Sequence, residues 1–309
     1  MIILFVISLI VGFAIGILAG LLGVGGGTLL VPAFKLGYAM DSLMCTATSL
    51  FTIIPTSVSG AISHIRNKTC LPKLGLAAGL GGACLSPVGV WLATISPDWA
   101  VMGAAALIIG YSAITMFRKA LKAPKAPKAP KAPKVLRAAK AASSSRRREH
   151  AAANAESKEL AAENRAAAED RDALARAWKE APAVGAREVA IGCGIGLVAG
   201  LASGYVGVGG GFIMVPLMMS VLRVPMKLTS GTSLIAVMIL AVPGVITQAV
   251  LGNINWVAGI AVACGSIPGA QLGARLIPKV PERTLRFTFA GFLVVAAVML
   301  VVNQLGLWG

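Results

Sequence analysis

The chain has 309 residues, of which 57% are hydrophobic and only 13% charged, with a mean hydropathy of +0.81. Soluble domains carry about 25% charged residues, so a soluble globule is excluded and an all-α integral membrane protein is expected. The formal net charge of +16 points, taken alone, to nucleic acid or an acidic surface, but it is unevenly spread: residues 118–187 hold 18 Lys and Arg against 8 Asp and Glu.

Apolar runs cover 2–22, 43–63, 74–95 and 99–117, then 189–208, 231–251, 256–274 and 285–302. Each is near the ~20 residues a helix needs to cross a ~30 Å hydrocarbon core. Eight transmembrane helices are therefore expected, as two four-helix repeats at 1–118 and 187–309 joined by a segment at 119–186. The first run resembles a signal peptide. It lacks a basic n-region and has an internal counterpart, so a retained first span is expected.

The joining segment changes chemistry abruptly. Lys122–Lys134 carries a Lys-Ala-Pro repeat, which favours extended polyproline II. Residues 135–181 are rich in Ala, Glu, Arg and Lys and favour helix. Leu136, Leu160, Leu174 and Trp178 are nearly the only large apolar residues there, so a solvent-exposed, partly helical, mobile linker is expected. Its basic residues flank the fourth span and place it in the cytoplasm; Arg66, Lys68 and Lys73 agree. Four spans before the linker then put both termini inside and the repeats parallel. Arg223, Lys227, Arg275, Lys279, Arg283 and Arg286 disagree, since all would lie outside. Inverted repeats would need an odd number of spans in the first half, and the run 2–34 is too long for one simple helix.

Shifting the numbering by 184 lays Gly12–Pro32 on Gly196–Pro216 with 10 of 21 positions identical. Thr48-Ser49-Leu50 then falls on Thr232-Ser233-Leu234, and Gly60, Gly75, Gly81 and Gly89 on Gly244, Gly259, Gly265 and Gly273. The centre of the repeated block is Gly23-Val24-Gly25-Gly26-Gly27 and its copy Gly207-Val208-Gly209-Gly210-Gly211. Consecutive glycines make a poor helix interior, at roughly 1 kcal/mol each against Ala. Non-helical backbone at membrane depth is tolerated only where protein or a water-filled cavity surrounds it. A helix restarting near Thr28 and Phe212 would aim free N–H groups into the break, which suits an anion. Gly25, Gly26, Gly27, Thr28, Gly209, Gly210 and Gly211 are thus candidate substrate-binding residues. Gly12, Gly16 and Gly20, with Gly196, Gly200 and Gly204, recur every four residues and read as close helix packing.

A second polar set runs through Thr46, Thr48, Ser49, Thr52, Ser57, Ser59 and Ser63 to His64, with Ser230, Thr232, Ser233, Thr247 and Gln248 as its counterpart. Hydroxyls in a span often bond their own helix. The repeated Thr-Ser-Leu favours Thr48, Ser49, Thr232 and Ser233 as residues facing a symmetric centre. His64 and Gln248 are repeat partners, either of which could bind substrate or relay a proton; an interfacial His beside Arg66 is the plainer reading. Cys45, Cys70, Cys84, Cys193 and Cys264 are scattered and read as buried structural thiols.

No Asp or Glu lies within a predicted span, where a cation carrier would usually place one. Two histidines cannot build a multi-His metal site, and hydrolase and Walker A motifs are absent. No enzyme activity, cofactor or metal is implied; oligomeric state is left open.

These residues resemble the TauE/SafE family of sulfite and organosulfonate exporters. The resemblance rests on the duplicated G-V-G-G-G-x-x-x-V-P, the following Thr-Ser-Leu and the four-plus-four layout. It covers about 1–118 and 187–305; the long linker departs from it. It implies a secondary transporter of small sulfur-containing anions or related organic acids, in a bacterial inner membrane, with the six triple-glycine residues near the transport path. The alternative is a membrane scaffold whose basic linker recruits a partner or anionic lipid. Nucleic acid is disfavoured, because acids are interleaved and Trp178 is the linker's only aromatic residue.

Overall fold

A computed structural model describes residues 2–38, 40–122, 172 and 174–304. Besides a helical stretch at 174–180, they hold ten longer α-helices: α1 (Ile2–Leu22), α2 (Gly27–Tyr38), α3 (Ser42–Arg66), α4 (Pro72–Ile95), α5 (Asp98–Lys122), α6 (Ala186–Val206), α7 (Gly211–Val221), α8 (Met226–Val250), α9 (Trp256–Leu276) and α10 (Glu282–Gln304). A 3₁₀ turn, Ile277–Lys279, follows α9. The starts of α6 to α10 each fall 184 residues after those of α1 to α5, so the offset read from the glycines also governs the helices. Seven of the helices are long and apolar enough to cross a membrane.

Each repeat therefore holds five helices where four spans were expected. The difference lies in the run 2–34, which the glycines divide into α1 and a shorter returning helix, α2. Ser8 of α1 and Tyr38 at the end of α2 share a hydroxyl–hydroxyl bond of 2.5 Å, so the pair forms a V whose limbs end on the same side.

Glycine contacts fix the helix directions. A Cβ at Gly12, Gly16 or Gly20 would run into the backbone of Val262, Ser266 or Ala270, in that order; α1 and α9 therefore run parallel. Gly196, Gly200 and Gly204 meet Ala78, Gly82 and Ser86 in the same way, so α6 and α4 are parallel. Gly75 and Gly79 face Ile235 and Ile239, making α4 parallel to α8. Gly60 faces Leu234 while Gly244 faces Leu50, the reverse order. Counterpart helices α3 and α8 are therefore antiparallel, and the repeats are inverted. This corrects the parallel arrangement. An odd number of passes per repeat, with the V supplying two, is what inversion requires.

Inversion also removes the charge conflict. Phe117 at the end of α5 meets Phe287 at the start of α10 edge-on, 6.0 Å between ring centroids. The ends of α3, α5, α7 and α9 thus share one side with the starts of α4, α6, α8 and α10. Arg66, Lys68, Lys73, Arg118, Arg187, Arg223, Lys227, Arg275, Lys279, Arg283 and Arg286 all belong to that side, where the linker attaches. The opposite side carries Lys35, Asp41 and Asp98.

The glycine rows pack as expected, but between repeats: α1 lies on α9 and α6 on α4. Small residues let these backbones approach closely, which is how helices gain packing energy where lipid removes the hydrophobic drive. The two halves are interleaved, not set side by side.

The linker reading changes at one end. The Lys-Ala-Pro repeat lies outside the described residues, but residues 174–180 are helical and docked. Ala177 is buried, Leu174 packs against the cluster that includes Ala177, Leu71 and Leu74, and Trp178 Nε1 donates to the Lys68 carbonyl at 2.9 Å. Leu174 and Trp178, too few for a heptad seam, suffice to tack this stretch onto the α3–α4 loop. The thiols also divide: Cys45 and Cys70 are buried, Cys193 is half-buried, and Cys84 and Cys264 are exposed. The last two lie away from the glycine faces of α4 and α9, which corrects the expectation of burial for them.

Candidate functional site

The two glycine breaks meet at the pseudo-twofold axis. Gly23, Gly25 and Gly26 have φ of 77°, 80° and 84°, and Gly207, Gly209 and Gly210 have 74°, 84° and 66°. That left-handed backbone strains any residue with a Cβ, which is the local reason for the repeated motif. The Gly26 and Gly210 carbonyls accept the first bonds of the restarted helices, from Leu30 and Met214. The restarts fall at Gly27 and Gly211, one residue before Thr28 and Phe212.

The breaks pack on each other and on α3 and α8. Gly27 abuts Val208, and Gly211 abuts Gly23 and Val24. Gly25 and Gly209 both face Ile53 and Val237, which are repeat partners; Gly25 also faces Ser57. The sequence-derived glycines are thus brought together at the buried centre of the molecule.

The hydroxyls divide into two kinds. Thr48 Oγ1 accepts from Asn255 N at 3.0 Å, and Thr232 Oγ1 accepts from Leu71 N at 2.9 Å. Asn255 and Leu71 are the N-cap residues of α9 and α4, so these threonines tie helix starts across the repeats. Ser233 Oγ lies 2.7 Å from the Gly23 carbonyl and 2.9 Å from that of Ser230. Thr56 Oγ bonds Ser266 Oγ, and Ser59 donates to Ile267 O; both fasten α3 to α9. In contrast, the Thr28, Ser49 and Ser57 hydroxyls are fully buried and lack a hydrogen-bond partner.

His64 is fully buried. Its Nε2 donates to the Gly20 carbonyl at 2.9 Å, because a carbonyl can only accept; Nδ1 then accepts the Thr69 hydroxyl at 2.7 Å. Its partner Gln248 uses Oε1 to accept from Asn253 Nδ2 at 2.8 Å, while Nε2 has no partner. Thr69 and Asn253 are themselves equivalent in the repeat. His64 and Gln248 thus both pin the loop after their helix, and neither stands beside Arg66 at an interface.

Sequence reasoning passed over Ser86 and Ser203, whose hydroxyls are also buried without a partner. One signal was available. Their repeat counterparts are Ala270 and Ala19, so each is a polar residue present in only one copy.

The profile of the family described as "Sulfite exporter TauE/SafE" matches residues 8–300. The chain belongs to the TauE/SafE family. Among curated relatives, it is 24% identical to the probable membrane transporter protein YunE of Bacillus subtilis, over 91% of each chain. It is 21% identical to the probable membrane transporter protein YjnA of the same organism, over 95% of this chain and 98% of the relative. A shorter match, 32% identical over 115 residues, is to MamO of Magnetospirillum gryphiswaldense, another probable membrane transporter protein; it covers 35% of this chain and 18% of that one. No solved structure matches. The chain is a multi-pass membrane protein of a transporter family.

A groove of about 470 Å³ lies elsewhere on this TauE/SafE chain, between α4, α5, α6 and α7. Tyr111, Tyr205, Ile213 and Pro216 are among its lining residues. It is mainly apolar and contains none of the triple-glycine residues. Among the described residues, no group of three or more His, Cys, Asp or Glu is placed to hold a metal ion.

Proposed function

We propose that the chain is a secondary transporter of small anions, exporting sulfite, sulfonates or related organic acids, with substrate held between the inverted repeats at the glycine breaks. The observation that carries this reading is the set of unpartnered hydroxyls beside the breaks, Thr28, Ser49 and Ser57. A buried polar group left without a partner costs roughly 1–3 kcal/mol, and a bound acceptor removes that penalty. The starts of α2 and α7 add the positive ends of two helix dipoles. No Asp or Glu is among the buried residues described, so no carboxylate there opposes an anion. Positive residues favour the cytoplasmic side, so the linker faces the cytoplasm and the start of α1 and the end of α10 face away from it. The interleaving supports an exchange of access in which α1 moves with α9 and α6 with α4, in place of one sequential half rocking against the other.

The test is flux of sulfite and a sulfonate from proteoliposomes containing the full chain. Gly26→Leu and Gly210→Leu should abolish it. Thr28→Val and Ser57→Ala, which leave the backbone free of strain, should each slow it at least tenfold. Unchanged flux in Thr28→Val and Ser57→Ala would remove the site from the breaks. Absence of flux for every anion in the unmodified protein would remove the transport reading.

A further inference from the structure

The pseudo-twofold axis exchanges the linker-side end of the core with the opposite end, so the two should be equivalent, and they are not. On the linker side, His64 Nε2 holds the Gly20 carbonyl and Ser233 holds the Gly23 carbonyl. The symmetry-related bonds on the opposite side would run from Gln248 Nε2 to the Gly204 carbonyl and from Ser49 Oγ to that of Gly207. Neither exists: Gln248 Nε2 and Ser49 Oγ are fully buried and unpartnered.

The sequence differs between the ends in the same sense. Gly60 has the Ala270 methyl and Gly20 beside it. At the equivalent place, Gly244 faces the Ser86 hydroxyl, and Gly204 meets the backbone of Ser86. Gln248 follows Gly244 by one helical turn, which puts both on one face of α8. Ser203, the residue before Gly204, replaces Ala19. The linker-side end is thus alanine-lined and latched, whereas the far end carries four unpaired donors: Gln248 Nε2 and the hydroxyls of Ser49, Ser86 and Ser203.

We propose that this far end is a binding site for a small oxyanion that extends from the Gly207–Gly211 break toward the face away from the linker, in which Gln248 and Ser86 donate to the ligand beside the unpaired hydroxyls of Ser49 and Ser203. All four contribute neutral N–H or O–H donors, and the site holds no charged side chain. An acceptor-rich, compact anion can take up these donors, which an apolar solute cannot. The site rests on the reading of the chain as an anion transporter and gives it a direction: substrate is captured or released at the face away from the linker while His64 keeps the linker-side twin shut.

The experiment is isothermal titration of the full-length protein in detergent with sulfite, sulfate and methanesulfonate at constant chloride, paired with proteoliposome flux. Ser86→Ala combined with Ser203→Ala copies the residues of the twin end, so the fold is preserved. Gln248→His copies the His64 latch. Both variants should bind at least tenfold more weakly than the unmodified chain, with thermal unfolding unchanged or raised. Wild-type affinity in both variants overturns the site while leaving transport intact. If the unmodified chain neither binds nor moves any of the three anions, the transport reading falls and the site falls with it. A control at a hydroxyl outside the site, Thr94→Ala, should bind like the unmodified protein; if it weakens binding as much as the two variants, the effect is not local and the site is overturned.

Discussion

His64 shows how a residue that looks chemical in sequence becomes mechanical in the fold. Both ring nitrogens are committed, one to Gly20 and one to Thr69, and the side chain is fully buried. His64→Ala should destabilise the protein by about 2–3 kcal/mol, the cost of stranding buried polar partners, and denaturant unfolding in detergent measures it. Cys70, in the loop after α3, gives a second reading at this scale. Burial pushes its thiol up to about 11, whereas an unfolded thiol ionises near 8.5. The folded chain holds that proton more tightly, so the contribution is unchanged below about pH 8.5 and stability declines as pH rises from there toward 11. Maleimide should leave Cys70 unmodified in the native protein at neutral pH and label it after unfolding. At the residue scale the sequence was partly legible. Repetition marked Thr48, Ser49, Thr232 and Ser233, but it could not separate the threonines that cap helices across the repeats from Ser49, which is left unpaired. Ser86 and Ser203 stayed hidden because repetition marks what the copies share, and these residues differ between the copies.

Among the elements, the glycine rows were the most legible feature, because four-residue spacing has one steric consequence on a helix. What the spacing does not carry is the identity of the opposing helix. Gly200→Val should abolish correct packing, since its Cβ would collide with the Gly82 backbone. Overpacking commonly costs 1–3 kcal/mol and more where backbone cannot yield; monodispersity on size-exclusion chromatography and unfolding temperature report it. The breaks were also legible, to within one residue of the helix restarts, since successive glycines make a poor helix interior; that Gly25, Gly26, Gly209 and Gly210 are left-handed while Gly27 and Gly211 are needed for close approach is read only from the fold. The docked stretch 174–180 was not, because Leu174 and Trp178 gain meaning only against the α3–α4 loop. Trp178→Ala should raise tryptic cleavage at Arg176 and Lys179 severalfold, as removal of the bond to Lys68 loosens the stretch. Deleting residues 123–171 should leave anion flux within twofold, because the docked end remains.

For the whole molecule, class and duplication were plain from composition and register, whereas the relative direction of the copies was not. Charge alone gave contradictory answers, since a span count of four was built into the reading. Counting the V as two passes reconciles every Lys and Arg among the described residues, except Lys35, with one side. Single cysteines introduced at Asn253 and at Asn67 in a cysteine-free background should react with impermeant reagents from opposite sides of the membrane, and Asn67 from the same side as the linker. Interleaving also has a consequence in time. The face of α1 that carries Gly12 waits for Val262, about 250 residues later in synthesis, before it meets its partner. At about 5–20 residues per second that is tens of seconds, during which the first repeat sits in the bilayer with a bare glycine groove. Either half expressed alone should therefore be degraded, and co-expression of the two halves should rescue both.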